Sequence, residues 1–143
     1  MTDQVCVVVG GGKGMGAAIA REMKKRNYRL SLMSPSDNCE NLADELNGIA
    51  YRGRAENSRD TDNLIKFTME KFGRIDSLLI HVGGPPKGDL LEISEDDWKK
   101  ANEMVLMPVI RLSKLITPIM QSQGGGSIAV SYTHLRAHET NSN

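Results

Sequence analysis

The stretch that decides the fold is Val5-Cys6-Val7-Val8-Val9-Gly10-Gly11-Gly12-Lys13-Gly14-Met15-Gly16, which runs directly into Ala17-Ala18-Ile19-Ala20. Its five leading apolar residues predict a strand buried on both faces, as a central parallel strand is. Glycines suit the sharp turn that follows, because such turns use positive φ and because a side chain would hold the backbone away from a pyrophosphate. The helix behind the turn offers free N–H groups and the positive end of its dipole. The stretch therefore predicts a phosphate-binding turn between a strand and a helix.

Two dinucleotide-binding fingerprints overlap within this turn. Gly12-x-Gly14-x-x-Ala17 fits the pattern G-x-G-x-x-A, and Gly10-x-x-x-Gly14-x-Gly16 fits the wider G-x-x-x-G-x-G. A P-loop fits less well, because Gly12-Lys13 is followed by glycine instead of Ser or Thr. A glycine-rich turn without a ligand is the alternative for the motif alone. The position of the motif after a strand and before a helix favours dinucleotide binding.

Composition is that of one globular domain with a real core, since the chain has 143 residues, of which 39% are hydrophobic and 25% charged. The 18 basic and 18 acidic residues balance, so we expect neither a nucleic-acid nor a membrane partner. Cys6 and Cys39 form no C-x-x-C pair and predict reduced thiols in a cytoplasmic protein. No signal peptide or membrane-spanning run is expected either.

Strand and helix patterns alternate along the chain. The predicted strands cover residues 5–9, 28–33, 49–52 and 75–82, with a fifth beginning at 127. Between them lie helical patterns after residue 16, around 42–46, at 60–72 and 95–106, and at 109–121, with a break or kink expected at Pro108. This order implies right-handed βαβ crossovers and a doubly wound, parallel α/β sheet of the Rossmann type.

The chain resembles the first half of a short-chain dehydrogenase/reductase, nearest to members similar to 3-oxoacyl carrier-protein reductases. The segments that carry the resemblance are the glycine turn, Lys71-Phe72-Gly73-Arg74-Ile75-Asp76, Asp97-Trp98 and Gly124-Gly125-Gly126-Ser127-Ile128. It spans residues 5–129, so we expect an incomplete sheet and a truncated dinucleotide-binding domain over residues 1–129. The resemblance implies NAD(P)-dependent hydride transfer on a small carbonyl or alcohol substrate, by a parent protein that is a homo-oligomer.

The resemblance also implies a cofactor site, with catalytic residues absent from this part of the chain. Its predicted members are Gly10, Lys13, Gly14, Met15, Gly16, Ser34, Ala55, His81 and Gly83. Lys13 resembles the basic residue of NADP-preferring members, with a solvated surface lysine as the alternative. Ser34 stands where an acidic residue would bind the ribose 2′-hydroxyl and repel a 2′-phosphate. NADP is therefore the predicted cofactor, with NAD as the alternative.

Several positions depart from the family's pattern. Val9 replaces the usual Thr, and His81-Val82-Gly83-Gly84 replaces Asn-Asn-Ala-Gly. His81 is either a ribose contact or a hydrogen-bonded structural residue. Arg54, which either contacts the adenine or faces solvent, replaces an acidic residue. Val105 aligns with the Asn of the catalytic tetrad, and a valine cannot hold the proton-relay water.

The final segment contains a pattern that resembles a catalytic motif of the family. Tyr132-x-x-x-Arg136 resembles Tyr-x-x-x-Lys, but Ser131 is adjacent to the tyrosine, whereas in the family about a dozen residues separate the catalytic Ser and Tyr. Arg is also a poor replacement for the Lys that lowers the tyrosine pKa. Residues from Val130 onward instead resemble one translated frame of an adapter used in transposon-based sequencing libraries. Residues 130–143 are therefore predicted to be a non-native tail.

These expectations lead to two hypotheses for function. The first is the cofactor-binding half of a short-chain reductase, inactive without the missing Tyr and Lys. The alternative is a non-catalytic regulatory protein that binds NADP(H). No metal site is expected, because His134 and His138 lack a third ligand.

Overall fold

The computed structural model describes residues 3–84 and 87–131. The strands are β1 (Val5–Val9), β2 (Arg29–Ser34), β3 (Ile49–Arg52), β4 (Ser77–His81) and β5 (Ser127–Ser131). The α-helices are α1 (Gly14–Lys25), α2 (Asn38–Leu46), α3 (Ser58–Phe72), α4 (Glu95–Ala101) and α5 (Met107–Ser122).

The five strands form one parallel sheet in the order β3-β2-β1-β4-β5. All five residues of β1 are buried, and β1 lies at the centre: Val7 pairs with Ser31 of β2 on one side and with Leu78 of β4 on the other. The predicted doubly wound parallel sheet is confirmed. Because the strand order reverses beside β1, the crevice at its carboxyl end is the expected place for a ligand.

Helices cover both faces of the sheet and create two apolar cores. Successive strand residues point to opposite faces, so Val7 and Val9 belong to one core, whereas Cys6 and Val8 belong to the other. The first core is completed by α3 and α5, whose contributions are Leu64, Ile65, Leu112, Ile116 and Met120. The second is completed by α1 and α2 through Ala17, Ala20, Cys39, Leu42, Ala43 and Leu46.

A polar network joins the amino ends of β1 and β4. A carboxylate oxygen of Asp76 accepts a hydrogen bond from the Val5 amide at 2.9 Å, and the guanidinium of Arg74 donates to both carboxylate oxygens, at 2.9 and 2.6 Å. The bond from Arg74 lowers the pKa of Asp76, against the effect of burial. The network therefore stabilises the end of the sheet opposite the ligand crevice.

The helix does not break at Pro108, and the kink given as the alternative stays a prediction. Ser94 caps α4, since its hydroxyl accepts a hydrogen bond from the Asp97 amide at 3.1 Å. A π-helical segment, Asn102–Leu106, then joins α4 to α5 without interruption. The wider π-helical turn before Pro108 gives room to the proline ring, which would otherwise clash with the preceding helical turn.

Strand β5 crosses the boundary predicted between residues 129 and 130. Val130 pairs with Ile80 and Ser131 pairs with His81, so the first two residues of the predicted tail belong to the sheet. Residues 132–143 lie outside the described part of the chain. The non-native origin of residues 130–143 stays a prediction.

Candidate functional site

A cleft of about 530 Å³ opens at the carboxyl ends of the strands; we call it the main cleft. Its lining residues come from the glycine turn, the loop between β2 and α2, and the end of β4: Gly10, Gly12, Lys13, Gly14, Ser34, Pro35, Ser36, Asn38, His81 and Gly83. A smaller side hollow of about 210 Å³ shares part of this lining and extends toward the loop after β3, where it includes Ala55. Seven of the nine predicted cofactor residues line one or both of these spaces.

Gly10 lets the glycine turn pass directly beside β4. Its φ is +81°, and a Cβ there would collide with the backbone carbonyl of His81. Gly16 is needed for a related reason, because a Cβ on it would collide with the carbonyl oxygen of Gly10. These two glycines bring the start of α1 against the end of the sheet.

Gly14 differs from these two, because nothing lies within 4 Å of the position that its Cβ would take. Its φ of +58° gives a conformational reason for glycine, and its open side faces the main cleft. Lys13, the residue before α1, makes no side-chain cap, and the first turn of α1 carries no acidic residue. The amino end of α1 therefore presents N–H groups and the positive end of its dipole to the cleft.

Ser34 forms the wall across from the glycine turn. It is 6% exposed, and a Cβ on Gly12 would lie 2.7 Å from its hydroxyl oxygen. That hydroxyl donates to the carbonyl of Ser36 at 3.0 Å and accepts from the amide of Cys39 at 3.2 Å. Because its only proton is already used, Ser34 can accept one more hydrogen bond from a ligand but cannot donate one.

Met15 and Gly16 are the two predicted cofactor residues that do not line either space. Met15 is 53% exposed, and its sulfur accepts a hydrogen bond from the hydroxyl of Ser131 at 2.9 Å. The side chain therefore reaches the carboxyl end of β5 instead of the cleft. Gly16 is buried beneath the turn against Gly10.

Ala55 and Arg54 follow β3 and have different surroundings. Ala55 packs against the first core, and its carbonyl lies 3.5 Å from a guanidinium nitrogen of Arg111 on α5. The side chain of Arg54 is 65% exposed and pairs with Glu56 at 3.4 Å, which agrees with the solvent-facing interpretation. Its backbone amide donates to Asp60 at 2.8 Å and fixes the start of the loop.

His81 ends β4 at the floor of the main cleft. Its ring atom Nδ1 is buried and has no hydrogen-bond partner among the described residues. A buried polar atom without a partner is costly, so the structural hydrogen bond that would explain this residue is missing at Nδ1.

The side chain of Val105, the residue that the resemblance aligns with the family's catalytic Asn, carries no polar group. Val105 lies in the π-helical segment, next to Met104, which lines the side hollow. Tyr132 and Arg136, whose spacing resembles the Tyr-x-x-x-Lys motif, lie outside the described residues, as do His134 and His138.

Sequence reasoning missed the contribution of the loop between β2 and α2. Ser36 and Asn38 line the main cleft, and Ser36 helps to begin α2 by accepting a weak bond from the Asn38 amide at 3.4 Å. A strand followed closely by a helix was the available signal, because the loop between them must also lie at the carboxyl edge of the sheet. Arg111 had no comparable signal, since its contact with Ala55 depends on how α5 packs.

Comparisons with known proteins show the family of this chain. A model of the short chain dehydrogenase family matches residues 4–133. Dehydrogenase/reductase SDR family member 4 of Caenorhabditis elegans is 28% identical over 135 residues, covering 87% of this chain and 51% of the relative. A 3-oxoacyl-[acyl-carrier-protein] reductase of Synechocystis is also 28% identical over 135 residues, covering 90% and 55%. This chain therefore belongs to the short chain dehydrogenase family and spans about half the length of these relatives.

Solved structures share the fold. A 7α-hydroxysteroid dehydrogenase in complex with NADH and 7-oxo glycochenodeoxycholic acid superposes with a TM-score of 0.83 at 24% identity, over 91% of this chain and 53% of that protein. The predicted incomplete Rossmann-type architecture is thus confirmed.

Two further properties of the described residues bear on function. Across residues 3–84 and 87–131, no helix has an apolar stretch long enough to cross a bilayer. In the same ranges, no three or more His, Cys, Asp or Glu side chains are grouped so that they could hold a metal ion.

Proposed function

We propose that this chain is the cofactor-binding half of an NAD(P)-dependent oxidoreductase that transfers a hydride to or from a small carbonyl or alcohol substrate. The observation that carries the proposal is the convergence of three features on the main cleft: the glycine turn at Gly10, the uncapped amino end of α1 at Gly14, and His81 at the end of β4. A bound nicotinamide dinucleotide would supply the hydride chemistry.

The protein's own part in this function is binding and orientation. The first turn of α1 would hold the pyrophosphate through backbone N–H groups. His81 would lie beside the ribose. Ala55 and Gly83 would lie along the adenine and nicotinamide halves without adding charge.

We further propose that the cleft prefers NADP to NAD. Ser34 places no carboxylate beside the ribose, so nothing at the end of β2 repels a 2′-phosphate. Lys13 is exposed at the cleft and can add a positive charge. Because the hydroxyl of Ser34 has no proton to spare, the preference depends mainly on Lys13. The cytoplasmic location predicted from two unpaired, buried cysteines belongs to the same proposal.

Calorimetric titration with NADP⁺ and NAD⁺ tests this proposal. We expect tighter binding of NADP⁺, and a reduction of the preference by about three-fold in Lys13→Ala, the size typical of an exposed ion pair. Lys66→Ala is the matched control, because Lys66 is an exposed lysine on α3 outside the cleft. Binding of neither nucleotide would overturn the proposed function. A preference for NAD⁺, or identical effects of the two substitutions, would overturn the choice of cofactor.

A second candidate is a regulatory protein that binds NADP(H) without catalysis. The observation that favours it is Val105, which offers no polar group where the family has its catalytic Asn. Sequencing the locus from untreated genomic DNA separates the two hypotheses. A continuation into Tyr-x-x-x-Lys favours the oxidoreductase, and a reading frame without it favours the regulator.

A further inference from the structure

Arg111 is the most buried cation among the ion pairs of the described residues. Its side chain is 20% exposed, whereas every other arginine or lysine side chain in those pairs is at least 41% exposed. A guanidinium carries five N–H donors and stays charged, so its removal from water is costly unless nearby acceptors compensate. The contacts of Arg111 must therefore offset the cost of placing it on the inner side of α5.

The two partners of Arg111 belong to two different elements beside the side hollow. Its nitrogen Nη1 lies 3.5 Å from the carbonyl oxygen of Ala55, in the loop after β3. Its other nitrogen, Nη2, lies 3.9 Å from a carboxylate oxygen of Glu103, in the π-helical segment. Ala55 lines the side hollow, and so does Met104, the neighbour of Glu103. One side chain of α5 thus connects two of the elements that line this hollow.

The loop at Ala55 has few other attachments. The amide of Arg54 donates to Asp60 at 2.8 Å, the amide of Asn57 donates to the Arg54 carbonyl at 3.1 Å, and the side chain of Asn57 caps α3. These bonds stay within the loop and the first turn of α3, so they fix the shape of the loop. Within the described residues, the contact with Arg111 is the only hydrogen bond between residues 54–57 and an element other than α3.

We propose that Arg111 is a positioning residue, which holds the loop at Ala55 against the π-helical segment and so sets the affinity of the side hollow for the adenine end of the nucleotide. This inference rests on the proposed function, in which the adenine half lies along Ala55. Arg111 lines neither the main cleft nor the side hollow, so it acts through the residues that do. A lysine cannot replace it, because Nη1 and Nη2 have separate partners and an ammonium group is a single point charge.

Amide NMR of the full chain during titration with NADP⁺ tests this role in Arg111→Met, which keeps an apolar stem and removes the N–H donors. At saturation, we expect the Gly14 amide to shift as it does in the wild-type chain, and the Ala55 and Glu56 amides to shift less. The affinity should fall by about three- to ten-fold, the size of one hydrogen bond. Lys114→Met is the matched control, because Lys114 is an exposed cation on the same helix outside both spaces, and it should change neither quantity.

Arg111→Lys separates position from charge. We expect this variant to resemble Arg111→Met, and a lysine variant that matches the wild-type chain would overturn the proposal, because charge alone would then suffice. Equal effects of Arg111→Met and Lys114→Met would also overturn it, as would equal losses of the Gly14 and Ala55 shifts. If the wild-type Gly14 amide does not respond to NADP⁺, the proposed function fails and this inference fails with it. Thermal unfolding checks each variant for loss of fold, and the lysine variant decides if Arg111→Met does not fold.

Discussion

Replacing Gly14 by valine should separate nucleotide binding from folding. No atom lies within 4 Å of the added Cβ, so the cost to folding comes from the backbone alone. A left-handed φ of +58° costs an L-residue about 1–2 kcal/mol, which lowers the Tm of a domain of this size by roughly 3–6 °C. The valine methyl groups would also occupy the cleft in front of the α1 amides. We expect the affinity for NADP⁺ to fall by about ten-fold or more, or at least about 1.4 kcal/mol.

Gly73 provides a matched control for this substitution. Its φ is +73°, nothing lies within 4 Å of its Cβ position, and it ends α3 away from the cleft. Gly73→Val should therefore lower the Tm by a similar amount and leave nucleotide affinity unchanged. Both variants can be measured by thermal unfolding and by calorimetric titration. Equal affinities in the two variants would refute the assignment of the phosphate position to the start of α1.

Three other predictions follow from the structure. Asp76→Asn should lower the free energy of unfolding by about 2 kcal/mol at neutral pH. Because the pKa of Asp76 is lowered on folding, this loss, measured relative to an Asp62→Asn control, should shrink as the pH falls below about 4. Urea unfolding measures the loss at each pH, and a loss that does not change with pH would contradict this expectation. The chain should not oxidise NADPH with small ketones or acyl thioesters, since Val105 cannot relay a proton; steady turnover above a control without protein would disprove it. Deleting residues 132–143, which belong to the predicted non-native tail, should leave the Tm within about a degree, and a fall of several degrees would show that they contribute to the fold.

Much of the fold was predictable because its signals are local. The apolar run 5–9, the glycine turn and the alternation of strand and helix patterns define a parallel sheet whose crossovers have one hand. The π-helical connection before Pro108 was not predictable, because periodicity indicates a helix without showing the width of a single turn. The strand β5 likewise continues past residue 129 because pairing with β4 holds Val130 and Ser131, whatever the origin of that segment.

The candidate site was predictable to the extent that it follows the edge of the sheet. Gly10, Gly14 and His81 lie together because the carboxyl ends of parallel strands meet there. The direction of the Met15 side chain toward Ser131 depends on contacts between residues far apart in the chain. The hydrogen bond from the Ser34 hydroxyl to the Ser36 carbonyl is local, but it depends on the direction in which the hydroxyl points. Sequence patterns contain no information on such packing.

Backbone amide NMR during titration with NADP⁺ tests the central claim most directly. If the cleft binds the pyrophosphate at the start of α1, the amide signals of Gly14, Met15 and Gly16 should move as the nucleotide is added. Those of Val5 and Asp76, at the opposite end of the sheet, should stay in place. Movement of the Val5 and Asp76 signals without the glycine turn, or no saturable movement at all, would contradict the account.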